Sequence, residues 1–259
     1  MDFTREKYIQ LLQQLKDSGY EFITYADYCE GNHPPRFVIL RHDVDSKPEN
    51  SLEIAKEEKR LEAKATYYFR AVPESWNKEI ILAIHEMGHE VGYHYESMAT
   101  CNGHLPDAFD DFKKNLEKLR ALVPVSTICM HGSPLSVYYN KDLWILYDYN
   151  PLGIIGEPYL STAFSKVLYL TDTGRRWDGY KVSVRDKIRD YQEEWNAKGW
   201  SFRSTNGIIH ALQENRMPNQ IMITTNPQRW GEVGIGWFTE LVSQNSKNIV
   251  KRIIVSLTN

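Results

Sequence analysis

The sequence predicts an α/β protein whose parallel strands close, or nearly close, into a β/α barrel behind an N-terminal amphipathic helix. Three observations predict it. Short apolar runs alternate with amphipathic helical stretches along the 259 residues, nearly every run ends in a charged or amide side chain, and no Pro/Ser-rich linker divides the chain. Strands that alternate with helices form right-handed β-α-β units and hence a parallel sheet. In a parallel barrel the strand ends converge on one face, where active sites are built. A doubly wound open sheet gathers fewer of them, at its switch point. One domain over residues 1–259 fits better than two, with residues 1–36 as a helical extension.

The first helix spans Thr4 to Ser18, where Tyr8, Leu11, Leu12 and Leu15 fall on one face and Gly19 stands at the C-terminal cap. Phe37 to Leu40 reads as a buried strand that runs into the polar tip Arg41-His42-Asp43-Val44-Asp45. Ser46 to Glu49 offers a capping box and an early proline, so a helix starts there and runs to about Leu61. The same grammar repeats. Strands are expected at Ala65 to Arg70, Glu90 to His94, Val125 to His131, Gly153 to Glu157, Lys166 to Asp172 and Ile221 to Asn226. Helices are expected near Lys78 to Met87, Asp107 to Leu122 and Lys141 to Tyr147.

Composition narrows the function. Lys and Arg total 31 against 34 Asp and Glu, a net charge of −3 without basic blocks, which argues against a nucleic-acid partner. No run is long and apolar enough for a membrane span, and the N-terminus lacks a signal-peptide core, so the expected compartment is the cytoplasm. Cys29, Cys101 and Cys129 have neither an even count nor C-x-x-C spacing and read as reduced thiols.

The strand ends carry the chemistry. Asp43 and Asp45, at i and i+2, point to the same side if the chain stays extended. A mononuclear catalytic site needs about three imidazole or carboxylate ligands, and Asp45, His94 and His131 are the nominated set. Asp43 is then placed to take a proton from water acidified by the ion. That combination hydrolyses amides or esters. The content of 16 Tyr, 7 Trp and 9 Phe suits a sugar-binding pocket and suits a plain core equally. Trp177 and Trp230, in loops after strands, are the better candidates for substrate contact, with Arg70 and Asn226 at strand ends beside them.

Leu40-Arg41-His42-Asp43-Val44-Asp45, followed after a helix by Gly88-His89-Glu90-Val91-Gly92-Tyr93-His94, resembles the polysaccharide deacetylase superfamily, the nodulation-protein-B homology domain. The resemblance runs from Phe37 to Trp230 and implies an irregular, incomplete β/α barrel that removes N- or O-acetyl groups from sugars with the help of a metal ion. It implies Asp43 as catalytic base, Asp45 as metal-binding aspartate and His94 as first metal-binding histidine. Two departures stand out. Met98 occupies the place of the second metal histidine, and Asn226 the place of a late histidine that acts as general acid. His131 is then either the replacement ligand or the acid, with Glu96 and His104 as reserve ligands, and Asp172 resembles an orienting catalytic aspartate.

The leading expectation is therefore a cytoplasmic hydrolase with one divalent ion, zinc, that acts on an acetylated sugar or glycan precursor, in surface polysaccharide synthesis. The alternative is a catalytically lapsed relative that binds a glycan or regulates a partner. A third reading takes His42-Asp43 as the adjacent pair of a metal phosphohydrolase.

Overall fold

The computed structural model describes residues 1–178 and 187–232, together with 234, 237, 239 and 241. The apolar runs become strands, and the amphipathic stretches become helices that cover them. In chain order these are α1 (Arg5–Asp17), β1 (Glu21–Ile23), α2 (Tyr25–Cys29), β2 (Phe37–Val44), α3 (Pro48–Arg60) and β3 (Thr66–Phe69). Next come α4 (Lys78–Glu86), β4 (Glu90–Tyr95), α5 (Ser97–Thr100), α6 (Leu105–Arg120) and β5 (Ile128–Met130). After two 3-10 turns follow α7 (Pro158–Ser161), β6 (Leu168–Thr171), α8 (Arg189–Ala197), α9 (Thr205–Gln213) and β7 (Gln220–Thr225).

The strands pair in parallel in the order β5-β4-β3-β2-β7-β6, with β1 beside the first half of β2. The N-terminal segment thus supplies a strand as well as the helix expected of it. At the other edge, the strand expected at Gly153–Glu157 shrinks to one bridge between Thr127 and Gly156. Glu157 instead turns inward, where it accepts from Met130 N at 2.9 Å and caps α7. Among the described residues no pairing joins this edge to β6. The curled sheet is an incomplete barrel with a seam, across which the Tyr159 and Tyr169 hydroxyls lie 3.4 Å apart.

Side-chain alternation sorts each strand into an inward and an outward row. Arg41 and Asp43 on β2, Tyr68 on β3, Gly92 and His94 on β4, and Cys129 on β5 share the inward row. The outward row packs on the helices and is apolar apart from His42, Tyr67 and Thr225, which make polar bonds there. Tyr8, Leu11, Leu12 and Leu15 of α1 are all buried there, as their spacing predicts, and Thr4 caps the helix from Lys7 N. Gly92 has no side chain because the Tyr68 ring fills its place. A Cβ on Gly92 would lie 2.3 Å from Tyr68 Cε1 and 2.9 Å from Thr127 O. Gly92→Ala is accordingly expected to destabilise the fold by about 1–3 kcal/mol, read from the urea midpoint at unchanged slope.

Two local expectations are corrected. The polar string after Leu40 is not a tip, since β2 continues through Val44 with every residue buried. Its second half pairs with β3 on one side and, to His42, with β7 on the other. The α3 N-terminus has no capping box from Ser46. Lys47 is the cap residue, at φ 52°, with no side-chain bond to the helix. This left-handed residue turns the chain sharply from Asp45 into Pro48, a conformation that costs an L-residue about 1–2 kcal/mol.

Candidate active site

The inward rows all rise to one rim. Asp45, Arg70, His94, His131 and Asn226 follow the same alternation, two residues beyond Asp43, Tyr68, Gly92, Cys129 and Thr224. At that rim His94 Nε2 and His131 Nε2 each stand 3.6 Å from Asp45 Oδ1. Donors around a tetrahedral zinc with bonds of 2.0–2.1 Å are separated by roughly 3.3–3.4 Å, so both edges match a small ion.

The protons of the network point to the same conclusion. His94 Nδ1 lies 3.0 Å from the Cys129 carbonyl, which only accepts, so Nδ1 carries a proton and, in the neutral ring, Nε2 a lone pair. His131 Nδ1 lies 2.9 Å from Glu96 Oε2, a carboxylate, with the same result. Asp45 Oδ2 accepts from Asn226 Nδ2 at 2.9 Å and Gln228 Nε2 at 3.3 Å, whereas the buried Oδ1 has no hydrogen-bond partner among the described residues. Both Nε2 atoms thus flank Asp45 Oδ1, and each ring when neutral turns a lone pair toward it. A cation at this place, a divalent ion or a protonated imidazole, satisfies that oxygen. Burial alone would raise the Asp45 carboxyl, but a hydrogen bond from His94 and the positive charges of His131, His94 and Arg229 hold it below the ordinary range, the two rings when protonated standing in for a cation. The residues fit a divalent ion.

Asp43 sits beside this point, with Oδ2 at 3.9 Å from His94 Nε2. Arg41 grips both its oxygens, Nε to Oδ1 at 2.9 Å and Nη2 to Oδ2 at 2.7 Å. Arg41 in turn donates to Tyr159 Oη at 2.9 Å and lies over the Tyr159 ring at 4.8 Å, so the seam residues fix the Asp43 carboxylate. Asp43, His94 and Cys129 bring one donor atom each within 4.8 Å of one another. The guanidinium already occupies the Asp43 oxygens, and His94 is nearer to Asp45, so a cation is better placed on the Asp45 side.

Several residues read as site groups do other work. Arg70, expected to contact substrate, is held by Glu96, with Nη2 at 2.8 Å from both carboxylate oxygens. Trp177 and Trp230 are 3% and 1% exposed. They pack with Phe3 and Tyr8 beneath α1, where Trp177 Nε1 donates to Thr205 and Trp230 Nε1 to Asp172. Asp172, expected among the catalytic groups, is fully buried one residue out of the inward alternation. Its oxygens accept from Asn226 N, Trp230 Nε1 and Arg229 Nη1, so it fixes the loop that presents Asn226. Asn226 is within the site but faces the aspartates, donating to Asp45 Oδ2 and to Asp43 O at 3.2 Å. Met98 is buried in the core, and His104 is a surface residue paired with Asp107 at 2.9 Å, so neither joins the cluster around Asp45.

His42 and Asp43 fall on opposite faces of β2. His42 Nε2 bonds Glu58 Oε1 at 2.7 Å on the helix side, which rules out the paired ligation that a phosphohydrolase would need. Arg41, Glu96 and Asn140 were not singled out for the parts they play. For Arg41 the signal was present, because i−2 of an inward aspartate is also inward. Glu96, two residues beyond His94, carried the same signal and was read as a reserve ligand, whereas Asn140, at the start of a 3-10 turn, had none.

No family model matches the sequence, and no curated protein matches it. Among solved structures, the chain is similar to the Xyl-CE4 domain of a multidomain xylanase from the hindgut metagenome of Trinervitermes trinervoides. The identity is 12% and the TM-score 0.40, over 84% of each chain. It is also similar to Bacillus subtilis PdaA, a family 4 carbohydrate esterase, at 12% identity and TM-score 0.42 over 91% of this chain and 84% of that one. BA3943, a CE4 family pseudoenzyme from Bacillus anthracis, gives 14% and 0.42 over 85% and 66%. Among the described residues no helix is long and apolar enough to cross a membrane.

Proposed function

We propose that the protein is a metal-dependent deacetylase-like hydrolase that acts on an N- or O-acetylated sugar, with zinc held by Asp45, His94 and His131. The observation that carries this reading is the convergence of two imidazole Nε2 lone pairs on the partnerless Asp45 Oδ1, beside the arginine-gripped Asp43. The acetylated sugar comes from the motif resemblance around Asp43 and His94.

When bound, the ion acidifies a water molecule and polarises the acyl carbonyl. Asp43 takes the proton of the attacking water as the acyl carbon becomes tetrahedral. Arg41 keeps the carboxylate aimed during that transfer. Asn226 is an amide and donates no proton, and the Nδ1 proton of His131 is committed to Glu96. The proton taken by Asp43 is therefore the one returned to the departing nitrogen or oxygen, directly or through water. Asn226 and Gln228 hold Asp45 through Oδ2, which would leave Oδ1 to hold the ion.

Elemental analysis of the wild type and of Asp45→Ala, His94→Ala and His131→Ala tests the centre. About one zinc per chain is expected in the wild type, with loss in all three variants. Retention of the metal in His131→Ala would remove His131 from the ligand set. The amide at Asn226 favours a second reading, a glycan-binding protein without turnover. A metal-loaded wild type that binds acetylated oligosaccharides but hydrolyses none would establish that reading instead.

A further inference from the structure

We infer that Glu96, braced by Arg70, is a positioning residue that selects the ring tautomer of His131 and so makes this histidine a metal donor; the inference rests on the metal centre proposed above. Two groups compete for His131 Nδ1. Glu96 Oε2 lies at 2.9 Å and the Ser133 hydroxyl at 3.0 Å. A carboxylate can only accept, so it demands a proton on Nδ1 and leaves the Nε2 lone pair facing Asp45. A hydroxyl can donate, which would place the proton on Nε2 and turn N–H toward the ion's position. Ser133 is held in place, because Asn140 Nδ2 donates to its Oγ at 3.0 Å and to the His131 carbonyl at 2.7 Å. The seat of the ring is therefore rigid, and the carboxylate decides which nitrogen is bare.

Arg70 keeps that carboxylate in position. Its Nε and Nη2 clamp Glu96, at 3.1 Å and 2.8 Å to Oε1, and its Nη1 donates to the Asp45 carbonyl at 3.2 Å. One guanidinium thus links the backbone of one ligand to the orienting partner of another. Glu96 opens α5 and carries the task there, while Met98, two residues on, packs into the core. Groups that orient a ligating histidine through its second nitrogen are generally worth 10–100-fold in metal affinity.

The test is zinc affinity by competition with a chromophoric chelator, on the full chain, with no substrate present. Glu96→Ala is expected to weaken binding by about 10–100-fold, and Glu96→Gln, which keeps a carbonyl acceptor, by less. Glu96→Ala in the His131→Ala background is expected to add little, because it acts through that ring. Removing the competing hydroxyl, Ser133→Ala in the Glu96→Ala background, is expected to recover part of the loss, which a merely structural role would not do. The urea midpoint of each zinc-free variant separates folding from binding. Glu96→Ala and Glu96→Gln both within twofold of wild type, or additive losses in the double variant, would overturn the inference and leave the metal centre standing. A wild type that binds no zinc overturns both.

Discussion

Asp43→Asn is expected to lower kcat on an acetylated sugar by roughly 10²- to 10⁴-fold, the range for loss of a positioned general base, with zinc content unchanged. The two halves follow from different contacts. The Asp43 oxygens are engaged by Arg41 and not by the converging donors, so the Asp45, His94 and His131 set survives the change. Asparagine is nearly isosteric and still offers Arg41 one acceptor, but it takes no proton from water. KM is expected to move little, because the substitution removes a function needed only as the acyl carbon becomes tetrahedral. Asp45→Ala differs, since activity and metal are lost together. Metal analysis alongside steady-state kinetics separates the two. Full turnover in Asp43→Asn would remove Asp43 as the base.

Glu58→Ala is expected to cost about 3–5 kcal/mol of stability, the penalty for breaking a buried charged network from one side. Glu58 is fully buried on α3, outside the barrel wall. It accepts from the Tyr8 and Tyr67 hydroxyls and bonds His42 at 2.7 Å, with His89 at 3.8 Å. Alanine leaves those groups unsatisfied with no water to replace the carboxylate. For a chain of this size the melting temperature should fall by roughly 2–4 °C per kcal/mol.

The same group sets a pH dependence. Burial would push its carboxyl up, but His42 foremost, then His89 and the Tyr67 hydroxyl, hold it below the ordinary range. A carboxyl depressed on folding stabilises above its unfolded value, about 4.3, and that contribution fades as pH falls through its folded value. Urea unfolding of wild type and Glu58→Ala at pH 7 and pH 4 should show the gap narrow at the lower pH. An equal gap at both would contradict the assignment of charge to Glu58.

The barrel was legible because its signals are local. Apolar runs with polar ends locate β2, β3, β4, β6 and β7, and helical spacing locates α1 and α6. The gathering of Asp45, His94 and His131 was legible too, since they end the inward rows of β2, β4 and β5. Residues whose roles depend on distant partners were harder to read. Trp177 and Trp230 follow strands as substrate-contacting residues would, yet Phe3 and Tyr8, far off in sequence, cover them. Arg41 and His42 read as a polar tip because buried charges are rare. Their partners Asp43, Glu58 and Tyr159 are what allow the strand to stay buried. Asp172, one step out of the alternation, meets the site through the Asn226 loop that it orients.

That step matters most in β2, whose two faces carry incompatible partners. Arg41 and Asp43 find each other and Tyr159 inside, and His42 finds Glu58 outside. Most buried strands tolerate a shifted neighbour in part, because apolar side chains are interchangeable. A slip of one residue here would send a guanidinium and a carboxylate against the helices and an imidazole into the barrel. Each stranded ion would cost several kcal/mol, against a total stability of about 5–15 kcal/mol. The strand therefore works as a checksum on assembly. Chains that mispair β2 have no stable state to rest in, so the polar residues that prepare the site also proofread the fold around it.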